Sequence, residues 1–198
     1  MTHKQIILAS SSPRRMQLLN MLSVPFLCIA PDVDESFCDQ YSLEQNLIAV
    51  TQKKAQFVYH SHTPKNALIV AADTVVVLDG TVFSKPKDAC QAADILHTLS
   101  GKTHNVFTAV HVLDTDCDKS ASCVDKTQVT FRALTSEEID GYISCGEWTD
   151  KAGAYGIQGI GSVLIKKITG CFFNVMGLPV PVLYTMLQSF GYDLLKRS

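Results

Sequence analysis

Three stretches of this 198-residue chain carry residue types able to do chemistry. The first is Ser10-Ser11-Ser12-Pro13-Arg14-Arg15, which follows the apolar run Gln5 to Ala9. Proline suits the first position of a helix, so the segment reads as a strand, a serine turn and a helix start. The N–H groups and positive dipole at such a start favour a phosphate, and two guanidinium forks add donors matched to phosphoryl oxygens. It is not a Walker A loop, which needs Gly-x-x-x-x-Gly-Lys-Ser/Thr. Taken alone, the segment equally describes an ordinary helix start with two solvated arginines.

The second feature is Asp73, an acid between the apolar runs Leu68 to Ala72 and Val75 to Leu78. A carboxylate there is either a costly buried charge or a site residue at the end of a strand, where α/β proteins bind ligands. Glu35, in an acidic loop with Asp32 and Asp34, offers a second carboxylate able to share a divalent cation. Lys54 and Lys85 are candidate partners for phosphates, with Lys53 competing with Lys54 for that place. The third feature runs from Gly146 to Gly161, where four glycines after Lys151 let backbone approach a ligand closely. Trp148, Glu147, Asp150 and Lys151 distinguish it from a flexible linker.

Composition narrows the field. Charged residues make up 18%, against about 25% in an average soluble protein, and the net charge is −2. No global field draws DNA or an anionic membrane, so an anionic ligand must be held by a local basic cluster. That points to a small anion and not to nucleic acid. The seven cysteines include no Cys-x-x-Cys pair and fit neither a disulfide framework nor a zinc site. Reduced thiols in a cytoplasm are the simpler reading. The uncharged stretch between Lys167 and Asp193 is long enough in principle to cross a bilayer. Asn174, Pro179, Pro181, Gln188 and three glycines interrupt it, and Val182, Leu183, Met186, Leu187 and Phe190 recur on one helical face, so a strand, a loop and a helix are expected. Ile6 to Ala9 is too short for a signal-peptide core.

The elements that must position these residues follow from periodicity and punctuation. Strands are expected over Gln5–Ala9, Phe26–Ala30 and Leu68–Ala72, the last ending at Asp73. Helices are expected over Pro13–Leu22, from the Ser42/Gln45 capping box to about Tyr59, from Asp88 to Ser100, and from the Thr135/Glu138 cap to Gly146. Asp79-Gly80 between Val75–Leu78 and Thr81–Phe83 predicts a hairpin with a type I′ turn. His104–Leu113 and Val124–Arg132 predict an antiparallel pair. Strands and helices mix without regular alternation, so a mixed α/β (α+β) fold with a mixed sheet is expected, in one domain spanning 1–198.

Together the motifs resemble the Maf family of nucleoside triphosphate pyrophosphatases. The matching blocks are Leu8-Ala-Ser-x-Ser-Pro-Arg-Arg15, Ala71-Ala-Asp-Thr74, Lys85-Pro86, Leu99-Ser-Gly101, Gly146-Glu through Asp150-Lys-Ala-Gly-Ala-Tyr-Gly-Ile-Gln-Gly159, and Asn174-Val175-x-Gly177-Leu-Pro179. The resemblance implies an elongated mixed sheet flanked by helices, with two lobes and a central cleft, similar to inosine triphosphate pyrophosphatases. It implies hydrolysis of a nucleoside triphosphate to the monophosphate and pyrophosphate with Mg²⁺ or Mn²⁺, and a cytoplasmic homodimer. Carried over by motif, Asp73 is the general base and Glu35 helps Asp73 with the metal. Ser10, Arg14, Arg15, Lys54 and Lys85 form the triphosphate-binding set, and Asp150 and Lys151 join the substrate-binding residues. Arg14, Thr74 and Gln158 match the branch of the family that prefers dTTP and UTP, whereas the branch that prefers 7-methyl-GTP carries Trp, Gln and Glu there. A Gln amide both donates and accepts, which suits the N3–H and carbonyl edge of thymine or uracil. The opposing expectations are a regulatory nucleotide-binding protein affecting cell division and a purine-directed housecleaning enzyme. Intact Asp73, Lys85 and Lys151 speak for the enzyme, and Arg14, Thr74 and Gln158 against the purine reading.

Overall fold

A computed structural model describes residues 4–117 and 119–196. The fold is mixed α/β, with a seven-stranded mixed sheet and six α-helices among the described residues. In chain order these are β1 (Gln5–Ala9), α1 (Pro13–Met21), β2 (Phe26–Ile29), α2 (Leu43–His62), β3 (Ala67–Leu78), β4 (Thr81–Phe83), α3 (Ala89–Leu99), β5 (Thr103–Asp114), β6 (Ser120–Phe131), α4 (Ser136–Ser144), β7 (Ile165–Thr169), α5 (Phe172–Met176) and α6 (Val180–Ser189). The strand order is β2-β1-β3-β5-β6-β7, with β4 paired to β3. The chain divides into two compact units, one comprising Met1–Asp73, Thr108–Asp125 and Gly177–Ser198, the other Thr74–Phe107 and Lys126–Met176.

In the first unit, β1 lies between β2 and β3 and is parallel to both, Ile7 standing opposite Leu27 and Ile69, and Ala9 opposite Ile29 and Ala71. A parallel strand covered on both faces has no polar side to show, which is why β1 reads Ile-Ile-Leu-Ala from its second residue. The same registry places the carboxyl ends of β1 and β2 beside the middle of β3. Ser10 follows β1, the acidic loop follows β2, and Asp73 lies two residues beyond the last pair of β1 with β3. Ile7, Ala9, Ala55, Val58, Ile69, Ala71 and Leu113 form the core of this unit, with Ala55 and Val58 supplied by α2. Lys4 forms ion pairs with Asp114 and Asp116, tying the start of β1 to the end of β5.

The sequence predicts that the strand ends at Asp73, and here the structure differs. β3 runs on without a break to Leu78. Its parallel pairing to β1 stops at Ala71, and antiparallel pairing to β4 takes over at Val76 to Leu78. The hairpin turn matches the type I′ expectation, with φ of 49° at Asp79 and 80° at Gly80. Both capping boxes are present, Ser42 with Gln45 and Thr135 with Glu138. α2 continues one turn past Tyr59 and ends with Thr63 in the left-handed region. β5 and β6 are neighbours joined by a connection too short for a crossover, as the alternating pattern predicts. The uncharged stretch is the end of β7, two helices and their connections, and no described helix is long and apolar enough to cross a membrane.

The second unit packs around Val76, Leu96, Leu99, Val106, Val129, Phe131, Ile139, Tyr155 and Leu164. At its centre His104, Phe131 and Tyr155 meet edge to face, with ring centroids 4.7 to 5.3 Å apart. His104 Nε2 shares a 2.7 Å hydrogen bond with the Tyr155 hydroxyl. Burial pushes the His104 imidazole down from 6.5 to about 4, and does the same to His111 of the first unit, which pairs with Ser122 at 2.8 Å.

The sign of the resulting pH dependence is fixed. Both histidines are held neutral in the folded protein, while the unfolded chain takes up protons below pH 6.5. Stability is therefore complete above 6.5 and is lost as pH falls toward 4, by about 3 kcal/mol per histidine. Urea unfolding followed by circular dichroism should show this decline between pH 6.5 and 4.5, and His104→Phe should flatten it. An unchanged slope in that variant would show that His104 is not the titrating group.

Candidate active site

The carboxyl ends of β1 and β2, with the middle of β3, gather the first set of candidate residues. At their centre is Lys54, on the buried face of α2 with Leu47, Val50, Thr51, Ala55 and Val58. Its ammonium donates to Asp73 Oδ1 at 2.7 Å and lies 3.0 Å from Glu35 Oε1. Lys54 is only 5% exposed and Asp73 9%, whereas the Glu35 side chain is 54% exposed. Two buried opposite charges thus compensate each other, with a third charge at the solvent boundary. Glu35 reaches this point because Asn46 of α2 anchors its loop. The Asn46 amide accepts from Cys38 N–H at 2.7 Å and donates to the carbonyls of Cys38, Tyr41 and Ser42.

Of the two neighbouring lysines, Lys54 takes the central place and Lys53 contacts the Asp34 carbonyl at 3.3 Å. The helical spacing of 47, 50, 51, 54, 55 and 58 carries that distinction, because Lys54 falls on the apolar stripe and Lys53 does not.

The serine turn is built from within. The buried Ser10 hydroxyl oxygen accepts from Ser12 N–H at 3.1 Å and from Arg15 Nη1 at 3.3 Å. The Ser10 carbonyl accepts from Cys28 Sγ of β2. Arg15 Nε donates to the Gly177 carbonyl at 2.8 Å, closing the turn against the connection that precedes α6. Burial lowers the Arg15 pKa, opposed by Asp73 and Glu35 and reinforced by the neighbouring Arg14 charge. Ser12, the residue before α1, makes no side-chain capping bond. The Gly177 carbonyl and the Cys28 thiol left no signal in the sequence, since a backbone acceptor has no residue-type signature.

Thr74, Lys85, Asp150, Lys151 and Gln158 belong to the second unit. Thr74 follows Asp73 along β3 and so projects to the opposite face of the strand. Lys85 is exposed in the connection after β4. Lys151 Nζ donates to Asp150 Oδ1 at 2.8 Å and to the Glu147 carbonyl. Gln158 is half-buried and immediately precedes a 3₁₀ stretch over Gly159–Leu164. Gly161 is required by close packing, as a Cβ on it would collide with the Gly156 carbonyl oxygen.

Among the described residues no group of three or more His, Cys, Asp and Glu could hold a metal. Glu35 and Asp73 nevertheless lie close together, each with an oxygen within 3.0 Å of the Lys54 ammonium. Two hard carboxylate oxygens suit Mg²⁺ or Mn²⁺, since Mg²⁺ is ordinarily held by one or two carboxylates with water and substrate phosphates completing its shell.

The family model described as Maf-like protein matches residues 5–190. The chain is 42% identical over 195 residues to the dTTP/UTP pyrophosphatase of Caldicellulosiruptor saccharolyticus, covering 98% of each chain. It is 44% identical over 191 residues to the dTTP/UTP pyrophosphatase of Syntrophomonas wolfei, covering 96% of this chain and 100% of that one. It is 42% identical over 186 residues to the dTTP/UTP pyrophosphatase of Salmonella typhimurium, covering 94% and 93%.

The Lys54–Asp73 pair makes a thermodynamic prediction. Lys54→Met strands a buried carboxylate and should cost about 3–5 kcal/mol, read by chemical denaturation at pH 7. Adding Asp73→Asn should recover a large part of that loss, because no unpaired charge then remains. Simple addition of the two single penalties would refute the coupling.

Proposed function

The chain belongs to the Maf family, and from that membership we propose that it hydrolyses dTTP and UTP to the monophosphate and pyrophosphate. The observation that carries this reading is identity of 42 to 44%, over nearly the full length of both chains, to relatives named dTTP/UTP pyrophosphatase. In this reading the protein clears unwanted and modified pyrimidine triphosphates from the nucleotide pool of the cytoplasm, as a homodimer. The cysteines are free, which fits a reducing compartment.

The site chemistry supports the reaction as follows. Water attacks the α-phosphorus, the bond from that phosphorus to the α–β bridging oxygen breaks, and pyrophosphate leaves. Asp73 takes the proton of the attacking water as general base. Lys54 orients Asp73 through Oδ1, which leaves the carboxylate's remaining lone pairs for that proton. Ser10, Arg14 and Arg15 bind phosphate oxygens at the start of α1, and Lys85 adds a cation. Asp150, Lys151, Thr74 and Gln158 serve the nucleoside, Gln158 by reading the edge of thymine or uracil, with Arg14 and Thr74 completing the specificity set. Glu35 and Asp73 would hold Mg²⁺ or Mn²⁺, which supplies neutralisation of the charge carried by the phosphoryl oxygens. Catalysis of this kind depends on positioning and charge compensation more than on covalent chemistry, which is what a fixed Lys54–Asp73 pair provides.

Purified protein incubated with Mg²⁺ or Mn²⁺ and a panel of triphosphates should release pyrophosphate, with dTTP and UTP turned over fastest. Chelation should abolish turnover and added metal should restore it. Asp73→Asn should lower kcat about a hundredfold to ten-thousandfold. Release of orthophosphate, or full activity in the Asp73→Asn variant, would overturn the assignment.

A further inference from the structure

Glu147 lies in the turn after α4 and has no part in the proposed chemistry. Its half-buried carboxylate nevertheless does a specific job. Ile160 N–H donates to Oε1 at 3.2 Å and Gly161 N–H donates to Oε2 at 3.4 Å. These are first-turn N–H groups of the 3₁₀ stretch Gly159–Leu164, whose capping position is Gln158. Groups at a helix start lack intrahelical partners and call for an external acceptor. Gln158 makes no side-chain capping bond. The capping task therefore falls to a residue 13 positions before Ile160, and the Gln158 amide is not consumed by its own helix.

Two further contacts fit this arrangement. Gly159 has a φ of +64°, and a Cβ built on it would lie 2.5 Å from Glu147 Oε1. Glycine is needed there both for the left-handed backbone and to admit the carboxylate. From the other side, Lys151 Nζ donates to the Glu147 carbonyl, and the Lys151 chain lies over Gly156, within 2.7 Å of where a Cβ would stand. Glu147 is thus held by its main chain while its side chain holds the peptide groups directly after Gln158.

We propose that Glu147 is a positioning residue for base selection, fixing the backbone at 159–161 so that the Gln158 amide meets the pyrimidine edge in one orientation. The proposal rests on the reading that Gln158 reads the base. A structural brace alone predicts equal loss with every triphosphate. A positioning role predicts selective loss with the substrate whose edge Gln158 reads.

The test compares kcat/KM for dTTP and for dGTP in wild type, Glu147→Gln and Glu147→Ala. The Gln variant keeps the shape and one acceptor oxygen, so it should fold and show a partial effect. The dTTP:dGTP ratio should fall about tenfold or more in Glu147→Ala and by less in Glu147→Gln. The loss should reside mainly in KM for dTTP, with kcat for dGTP nearly unchanged. If Glu147→Ala does not fold, the ratio in Glu147→Gln decides, alongside faster amide exchange at Ile160 and Gly161. A ratio equal to wild type in the folded variants overturns the positioning role. Wild-type protein that turns over no pyrimidine triphosphate overturns the underlying function instead, so the two failures are distinguishable.

Discussion

An ammonium on the buried face of a helix costs several kcal/mol in lost hydration unless an anion and further hydrogen bonds replace the water. Lys54 meets that demand with Asp73 and Glu35, and much of the first unit is arranged around the arrangement that results. α2 must pack on the sheet with residues 47, 50, 54 and 58 inward. β3 must carry its acid just past the last parallel pair with β1. The acidic loop must be returned to α2, which Asn46 achieves by bonding both the N–H and the carbonyl of Cys38. A carboxylate held this firmly is preorganised, so little reorganisation remains to be made when charge moves during a reaction.

Much of this was legible in the sequence. The apolar run before Ser10, the proline that begins α1, both capping boxes and the Asp79-Gly80 turn carry local signals strong enough to survive folding. An acid in an apolar run looks like a boundary, so the sequence places a strand end at Asp73 where β3 in fact continues. The buried partner of Asp73 stands 19 residues away on another element, and no periodicity within β3 reports it. Lys54 and not Lys53 falls on the apolar stripe of α2, so the helical period distinguishes the two. The contacts of Arg15 with the Gly177 carbonyl, and of Glu147 with two peptide N–H groups, lay beyond reach, since backbone partners are invisible in residue identities.

The second unit solves a different problem. Its glycine-rich stretch carries few side chains able to hold it in place, and glycine loses the most conformational freedom on ordering. Order is supplied from outside the glycines, by the Glu147 carboxylate, by Lys151 lying over Gly156, and by Ala154 and Tyr155 inserted into the core beside Phe131. The loop thus gains its anchoring contacts while its backbone stays narrow.

The bond from Arg15 to the Gly177 carbonyl spans 162 positions of the chain. The serine turn takes its shape beside β1, but the acceptor that closes it comes from far along the chain. β1 and β2 can pair locally, being close in sequence, whereas the finished serine turn needs the connection before α6. Fixing the Arg15 fork therefore carries the loop-closure entropy of a long-range contact, so the turn is completed by tertiary folding and not by its neighbours in sequence.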